Sequence, residues 1–216
     1  MRQIQAVLFD LDGTLIDTER YYRIYWPKSL AAFGYEMTDE QSLMMRSLGR
    51  PFAPALLRQW FGEDLDYLAV RDKRTEMMEE ALARDGIQVK TGARELLAFL
   101  RERKIITAVV TATGKERAES RLSQTGLDGY FDRVISAAQV KEGKPSPDVY
   151  LYACESLGMK PEECMAVEDS PNGVMSAYRA GCPVVMVPDQ TEPDGELMKC
   201  LYARVDTLVD ICELIK

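Results

Sequence analysis

The sequence predicts an α/β protein in which a parallel sheet carries helices on both faces and a small all-helical domain interrupts the chain after the first strand. Three observations support this Rossmann-like architecture. An apolar run from Ala6 to Phe9 stops abruptly at acidic residues. Residues 18–89 then show helical periodicity without a convincing strand. From Gly92 onward, short helical and β-branched segments alternate, which is the pattern of crossover connections in a parallel sheet.

The first strand ends in a turn that carries two carboxylates. Ala6 to Phe9 consists of residues that suit a buried strand, and Asp10 and Asp12 follow it one residue apart, before Gly13. Carboxylates this close would raise each other's pKa and destabilise the fold unless a cation lay between them. The spacing therefore suggests a hard divalent metal such as Mg²⁺ at this turn.

The all-helical segment, residues 18–89, is called the helical insert below. Its length accommodates about four helices of ordinary size. Phe52 to Phe61 and Leu65 to Arg84 are the clearest of these, because Gly62 and Gly86 stand where each would stop. We predict a core domain formed by residues 1–17 and 90–216 and a helical cap domain formed by residues 18–89.

The rest of the chain supplies the remaining strands and their crossover helices. In order, the predicted elements are helix Ala93 to Arg103, strand Ile105 to Val110, helix Lys115 to Thr125, strand Arg133 to Ser136, helix Pro147 to Leu157, strand Cys164 to Val167, helix Pro171 to Ala180, strand Pro183 to Val187 and helix Leu208 to Ile215. Parallel strands end at one edge of their sheet, and ligands of open α/β sheets bind there. We therefore expect Thr111 and Glu168-Asp169, which follow predicted strands, to meet Asp10 and Asp12 at that edge.

Composition argues against several functional classes. A formal net charge of -8 disfavours a protein that neutralises nucleic-acid phosphates or anionic lipid. The sequence contains no histidine, which removes Ser-His-Asp and Cys-His nucleophile systems and any imidazole base. Its five cysteines form no Cys-x-x-Cys pair. No apolar run has the length of a membrane span and Met1-Arg2-Gln3 leads directly into the first strand, so a cytoplasmic protein is predicted.

Four motifs in order resemble those of the haloacid dehalogenase superfamily of phosphotransferases. They are Asp10-x-Asp12-Gly13-Thr14, Thr111 after an apolar strand, Lys144 within Gly143-Lys144-Pro145-Ser146-Pro147, and Glu168-Asp169-Ser170 followed by Gly173. The resemblance covers essentially the whole chain. The helical insert looks like the cap of the subgroup that contains β-phosphoglucomutase and many small-molecule phosphatases, in which a helical lid closes over the active site.

The resemblance implies a chemical role for each acidic residue. Asp10 would attack phosphorus to form an aspartyl phosphate. Asp12 would protonate the leaving oxygen and later deprotonate the incoming water. Mg²⁺ would be held by Asp10, the main-chain carbonyl of Asp12 and Asp169, with Glu168 as a further ligand or as a partner of a ligand.

The resemblance also implies which groups bind the substrate. The phosphoryl oxygens would be bound by Lys144, the hydroxyl of Thr111 and main-chain N–H groups near Leu11 and Ala112. Substrate choice would belong to the cap, where the candidate residues are Glu19, Tyr22, Arg50 and Trp26.

The implied activity is Mg²⁺-dependent hydrolysis of a small phosphorylated metabolite such as a sugar phosphate, with no protein partner implied. A β-phosphoglucomutase-type mutase is the alternative. The mutase branch carries a histidine in the cap where this chain has Tyr22, so hydrolysis is favoured. A receiver-like signalling domain and a catalytically inactive binding module stay open as non-enzymatic readings, although receiver domains lack Asp-x-Asp-Gly-Thr and a helical insert.

Overall fold

The computed structural model of the protein describes residues 4–215, so residues 1–3 and 216, at the ends of the predicted core domain, lie outside the described residues. Six parallel strands form one sheet in the order β3-β2-β1-β4-β5-β6, which confirms the predicted fold class. The strands are β1 Ala6–Phe9, β2 Ile106–Thr111, β3 Arg133–Ser136, β4 Cys164–Glu168, β5 Val184–Met186 and β6 Ala203–Arg204. Strand β1 pairs with β2 on one side and β4 on the other, so the residues after these three strands are neighbours.

Strand β1 is the centre of the core. Ala6 and Leu8 pack into one hydrophobic cluster and Val7 and Phe9 into another, and all four side chains are fully buried. Successive side chains of a strand point to opposite faces of the sheet. A strand covered by helices on both faces therefore has to be a continuous apolar run, as this one is.

Nine α-helices are present in the described chain. They are α1 Glu19–Ala31, α2 Asp39–Met44, α3 Phe52–Phe61, α4 Tyr67–Asp85, α5 Ala93–Glu102, α6 Lys115–Thr125, α7 Asp148–Leu157, α8 Pro171–Ala180 and α9 Gly195–Met198. The prediction that Leu208 to Ile215 is an α-helix is wrong, because the chain forms a 3₁₀ helix at Leu208–Glu213 instead. Helix α9 and strand β6 were not predicted, because four residues and two residues are too short to show a period.

The helical insert contains α1 to α4 and, within the described chain, no strand. Its two connections to the sheet run side by side. The N–H of Asp17 donates to the carbonyl of Gln88 at 2.8 Å, and the N–H of Lys90 donates to the carbonyl of Leu15 at 2.9 Å. The predicted boundaries after residues 17 and 89 fall where the chain crosses between sheet and insert. That the two parts behave as separate domains stays a prediction.

The helical insert is seated over the carboxyl ends of the strands. The N–H of Gly49 donates to the carbonyl of Lys144 at 2.8 Å, and the N–H of Gly143 donates to the carbonyl of Arg50 at 2.6 Å. These reciprocal bonds join the loop after α2 to the loop that carries Lys144. Among the helices of residues 4–215, none combines the length and the apolar character needed to cross a membrane.

Candidate active site

The predicted acidic residues meet at the carboxyl edge of the sheet. Asp10 directly follows β1, Glu168 is the last residue of β4, and Asp169 comes next. All three are buried, and each offers a carboxylate oxygen within 4.8 Å of the others. Thr111 ends the neighbouring strand β2 and is also buried. The expected convergence of these side chains is therefore observed.

Lys144 lies inside this cluster of carboxylates. Its Nζ atom is 2.5 Å from Oδ1 of Asp10, 2.6 Å from Oε1 of Glu168 and 3.0 Å from the carbonyl of Val110. Burial alone would lower the pKa of Lys144, but Asp10 and Glu168 outweigh burial and raise it above the ordinary value. Lys144 is therefore a fixed positive charge against the candidate nucleophile.

The cluster has more negative charge than Lys144 can balance. Oδ2 of Asp10 and Oε2 of Glu168 are buried, and neither has a hydrogen-bond partner among residues 4–215. Burial, with repulsion from Glu168 and Asp169, raises the pKa of Asp10 well above its ordinary range, although Lys144 opposes the shift. Buried carboxylate oxygens without donors fit a hard divalent cation, because such ions prefer oxygen ligands. Asp10, Glu168 and Asp169 could thus hold a metal ion.

The side chain of Asp12 does not join this cluster. Its Oδ1 accepts hydrogen bonds from the hydroxyl of Thr18 at 2.5 Å and from Arg121 at 2.6 Å. Its Oδ2 accepts from the hydroxyl of Thr113 at 2.7 Å. Three donors thus fix the orientation of this carboxylate. A metal contact through the main-chain carbonyl of Asp12 stays a prediction.

A cavity of about 480 Å³ lies between the sheet edge and the helical insert. From the sheet it is lined by Asp10, Asp12, Thr111 and Ala112, and from the insert by the four predicted substrate residues Glu19, Tyr22, Trp26 and Arg50. One space therefore joins the candidate nucleophile to every predicted substrate residue. The hydroxyl of Tyr22 lies 3.1 Å from that of Thr113, which brings the insert into contact with the loop after β2.

This geometry agrees with comparisons to known proteins. A family model described as haloacid dehalogenase-like hydrolase matches residues 4–181. The chain belongs to that family. It is 34% identical over 181 residues to the "Phosphorylated carbohydrates phosphatase" of Thermotoga maritima, covering 82% of each chain. It is also 35% identical over 183 residues to "Hexitol phosphatase A" of Escherichia coli, covering 85% of this chain and 82% of that one.

A solved structure extends the likeness to the three-dimensional level. The crystal structure of CbbY from Rhodobacter sphaeroides in complex with phosphate superposes with a TM-score of 0.79 at 28% identity, covering 97% of this chain and 96% of that one. The family resemblance drawn from the four motifs is thus confirmed. This haloacid dehalogenase-like hydrolase has phosphatases of phosphorylated carbohydrates among its relatives.

No sequence pattern predicts a role for Arg46, which follows α2 in the helical insert. Its side chain is 2% exposed, its guanidinium bonds the carboxylate of Asp169, and its Nε lies 3.6 Å from Oε1 of Glu19. Burial raises the pKa of Glu19 well above its ordinary range, and Asp169 adds to this while Arg46 opposes it. In this haloacid dehalogenase-like hydrolase, an arginine of the insert therefore supplies positive charge to a carboxylate of the candidate metal site.

Arg121, Thr113 and Arg74 were also missed. Arg121 stands among the charged residues of α6, and a charged residue on a helix is ordinarily solvated. Thr113 is the exception that could have been found, because it follows β2 by two residues in the loop that carries Thr111 and Ala112. Arg74, on α4, lines the cavity between the rings of Tyr22 and Trp26.

Proposed function

We propose that this haloacid dehalogenase-like hydrolase is a phosphatase that hydrolyses a small phosphorylated metabolite of the sugar-phosphate class through an aspartyl phosphate on Asp10. One observation carries the proposal. Asp10 opens into a cavity of about 480 Å³ and lies beside Lys144, Glu168 and Asp169. The phosphatase names of the relatives from Thermotoga maritima and Escherichia coli support the substrate class.

The proposed reaction has two steps. First, a carboxylate oxygen of Asp10 attacks phosphorus, the bond from phosphorus to the leaving oxygen breaks, and Asp12 gives its proton to that oxygen. Second, the oxygen of a water molecule attacks phosphorus, Asp12 takes the proton of that water, and the bond between Asp10 and phosphorus breaks. Asp12 ends each cycle in its starting protonation state, so one carboxyl group can serve both steps.

Mg²⁺ is the proposed metal, held by Asp10, Asp169 and Glu168 with the carbonyl of Asp12. When bound, it would supply positive charge against the phosphoryl oxygens. The oxygen-only donor set and the unpaired oxygens of Asp10 and Glu168 support this assignment.

The remaining groups would bind and enclose the substrate. Lys144, the hydroxyl of Thr111 and the main chain at Ala112 would take the phosphoryl oxygens. The helical insert would act as a lid that excludes bulk water, with Glu19, Tyr22 and Arg50 facing the rest of the substrate. A cytoplasmic location is part of the proposal, supported by the five cysteines, all of which are free thiols.

The test compares wild type with Asp10→Asn on p-nitrophenyl phosphate, with Mg²⁺ and with EDTA. Wild type should release p-nitrophenolate only with Mg²⁺, and Asp10→Asn should lose at least about 10³-fold in turnover, because the amide is not a nucleophile. Absence of turnover by the wild-type protein would refute the proposed phosphatase activity. A panel of sugar phosphates, with glucose 1-phosphate isomerisation measured in parallel, separates hydrolysis from mutase activity.

A further inference from the structure

Arg121 is a buried cation that binds one carboxylate of the sheet region and one of the helical insert. It lies on α6 of the sheet region, and its side chain is 2% exposed. One end of its guanidinium, Nη1, lies 2.6 Å from Oδ1 of Asp12. The other end, Nη2, lies 2.9 Å from Oε1 of Glu79, which is on α4 of the helical insert. A single side chain therefore links the candidate acid to helix α4 of the insert, while Thr18, at the start of the insert, binds the same oxygen of Asp12 directly.

The second oxygen of Asp12 is linked to the insert in a similar way. The hydroxyl of Thr113 donates to Oδ2 of Asp12 at 2.7 Å, and the hydroxyl of Tyr22, on α1, lies 3.1 Å from that of Thr113. Tyr22 also lies 3.3 Å from Nη1 of Arg121. Each oxygen of Asp12 is thus bound by a residue of the sheet region that is itself bound by the insert.

The pairing of Arg121 is energetically demanding. Burying a charge is costly unless its partners are close and well aligned. Burial alone would lower the pKa of Arg121, but Tyr22 and Asp12 outweigh burial and raise it, so the guanidinium stays charged. Its Nε has no hydrogen-bond partner among residues 4–215, so its two ends hold its orientation. The flat guanidinium can bind two carboxylates in fixed directions, which the point charge of a lysine cannot do.

We propose that Arg121 is a positioning residue for Asp12, and that Glu79 sets its position, so Asp12 is aligned for proton transfer only while the helical insert is seated on the sheet. This inference rests on the proposed function, in which Asp12 gives a proton to the leaving oxygen and takes one from water. Arg121 itself exchanges no proton. Its effect is to hold Oδ1 of Asp12 in one direction during both steps.

The consequence is a dependence on the leaving group. p-Nitrophenolate leaves phosphorus as a stable anion and gains little from protonation, whereas phenolate is a much poorer leaving group. A misaligned Asp12 should therefore slow the hydrolysis of phenyl phosphate more than that of p-nitrophenyl phosphate. A general loss of stability or of substrate binding would slow both alike.

The test measures kcat/KM for both substrates with Mg²⁺ in wild type, Arg121→Gln and Glu79→Gln. General acid catalysis is worth about 10²- to 10⁴-fold. Arg121→Gln should therefore increase the ratio of kcat/KM for p-nitrophenyl phosphate to kcat/KM for phenyl phosphate by about 10-fold or more. Glu79→Gln should increase it in the same direction by about 3-fold or more. Lys115→Gln is the matched control, since Lys115 is an exposed residue of the same helix, 3.8 Å from Glu119, and its ratio should equal that of wild type.

Each outcome decides the proposal. A wild-type ratio in folded Arg121→Gln overturns the positioning role, and a wild-type ratio in Glu79→Gln overturns the link to the insert. If Arg121→Gln does not fold, Glu79→Gln decides alone, because the side chain of Glu79 is 43% exposed and its replacement spares the core. Absent turnover in wild type, or full turnover in Asp10→Asn, marks failure of the proposed function instead.

Discussion

The Nζ atom of Lys144 lies 2.5 Å from Oδ1 of Asp10, in a site where both side chains are buried. The same amine also binds Glu168 at 2.6 Å. One positive charge thus serves two carboxylates, and a third, that of Asp169, lies within the same cluster. The three carboxylates repel one another, and the amine of Lys144 offsets part of that repulsion.

Lys144→Met should be strongly destabilised when no metal is present. The methionine leaves Asp10 and Glu168 buried without a counter-charge, which costs about 3 to 5 kcal/mol in comparable pairs. Mg²⁺ should recover part of that loss, because it supplies charge to the same oxygens. Urea unfolding with EDTA and with Mg²⁺ measures both effects.

Lys90→Met is the matched control for this experiment. Lys90 also pairs with an aspartate, Asp189, at 2.6 Å, but its side chain is 24% exposed. Its removal should cost less, and Mg²⁺ should not recover the loss. Equal losses of unfolding free energy in the two variants would contradict the claim that Lys144 balances the charge of two buried carboxylates.

The second prediction concerns pH. Burial raises the pKa of Asp169 to about 6 from 3.8, with Arg46 opposing the rise and Glu168 adding to it. The folded protein therefore keeps a proton that the unfolded chain has already released, so this group lowers metal-free stability as pH rises from about 4 to about 6. Mg²⁺ needs the ionised carboxylate, so stabilisation by Mg²⁺ should grow over the same range.

Thermal unfolding of wild type and Asp169→Asn, each with and without Mg²⁺, isolates this contribution. The difference in Tm between the two metal-free proteins should shift in favour of Asp169→Asn as pH rises from about 4 to about 6 and stay constant above that. A difference that stays constant with pH would show that Asp169 ionises as freely in the folded protein as in the unfolded chain.

The third prediction follows from the position of Arg46. Its guanidinium bonds Asp169, so it competes with any metal for that carboxylate. Arg46→Gln should therefore bind Mg²⁺ about 10-fold more tightly than wild type in calorimetric titration, a difference of about 1.4 kcal/mol. Arg23→Gln, which removes an exposed arginine of the same insert paired with Asp39, should bind Mg²⁺ as wild type does. Weaker binding by Arg46→Gln would mean that Arg46 supports the metal site.

The strand ends were predictable from the sequence, because buried parallel strands must be apolar on both faces. The runs before Asp10, Thr111 and Glu168 are apolar enough to be buried on both faces, and the helical segments between them predict parallel strands. The hydrophobic pattern was thus sufficient to predict that Asp10, Thr111 and Glu168 lie at the same edge of the sheet. The bounds of strand Arg133–Ser136 were also predicted correctly. Those of helix Pro171–Ala180 were correct because a proline begins the helix and Gly181 follows its last residue.

The buried arginines were not predictable. Arg121 falls at helical spacing on the face of α6 that carries Ala118, Leu122 and Thr125. A charged side chain is ordinarily expected in solvent, however, so the helical period does not reveal which ion pairs Arg121 forms. Arg46 belongs to a segment whose neighbour Met44 is exposed, so hydrophobic pattern gives no guide there. What sets both positions is the docking of the insert on the sheet, a long-range contact that local periodicity does not encode.

The fourth prediction concerns Arg74 on α4. It is 8% exposed, and its guanidinium carbon lies 4.7 Å from the ring centre of Tyr22 and 4.6 Å from that of Trp26. It forms no ion pair with a carboxylate in residues 4–215, and burial lowers its pKa. Arg74→Met should therefore keep or gain stability, because a desolvated charge is removed.

The same change should weaken substrate binding, because Arg74 lines the cavity. We expect KM for the preferred sugar phosphate of the panel to rise about 10-fold, with a smaller change in kcat. Lys73→Met, at an exposed neighbouring position on α4 paired with Glu76, should leave both constants unchanged. An unchanged KM in Arg74→Met would restrict Arg74 to packing against the two rings.

The fifth prediction sets helix propensity against the geometry of Glu168. A Cβ atom on Gly173, in α8, would lie 1.9 Å from Oε2 of Glu168. Alanine is favoured over glycine within a helix by about 1 kcal/mol, so propensity alone predicts that Gly173→Ala stabilises the protein. The clash should prevail, because Lys144 and Tyr150 both hold Glu168 at its other oxygen, each at 2.6 Å. We expect a loss of about 1 to 3 kcal/mol and weaker binding of Mg²⁺.

Gly195→Ala provides the comparison, because Gly195 is also helical and a Cβ there meets nothing within 4 Å. Its Tm should equal or exceed that of wild type, as propensity predicts. Unfolding curves should therefore show lower stability for Gly173→Ala and unchanged or higher stability for Gly195→Ala. Mg²⁺ titrations should show weaker binding only for Gly173→Ala. If Gly173→Ala matched Gly195→Ala in both measurements, the side chain of Glu168 would be able to move away from the new methyl group. Glu168 would then not be held at the metal site by its hydrogen bonds to Lys144 and Tyr150.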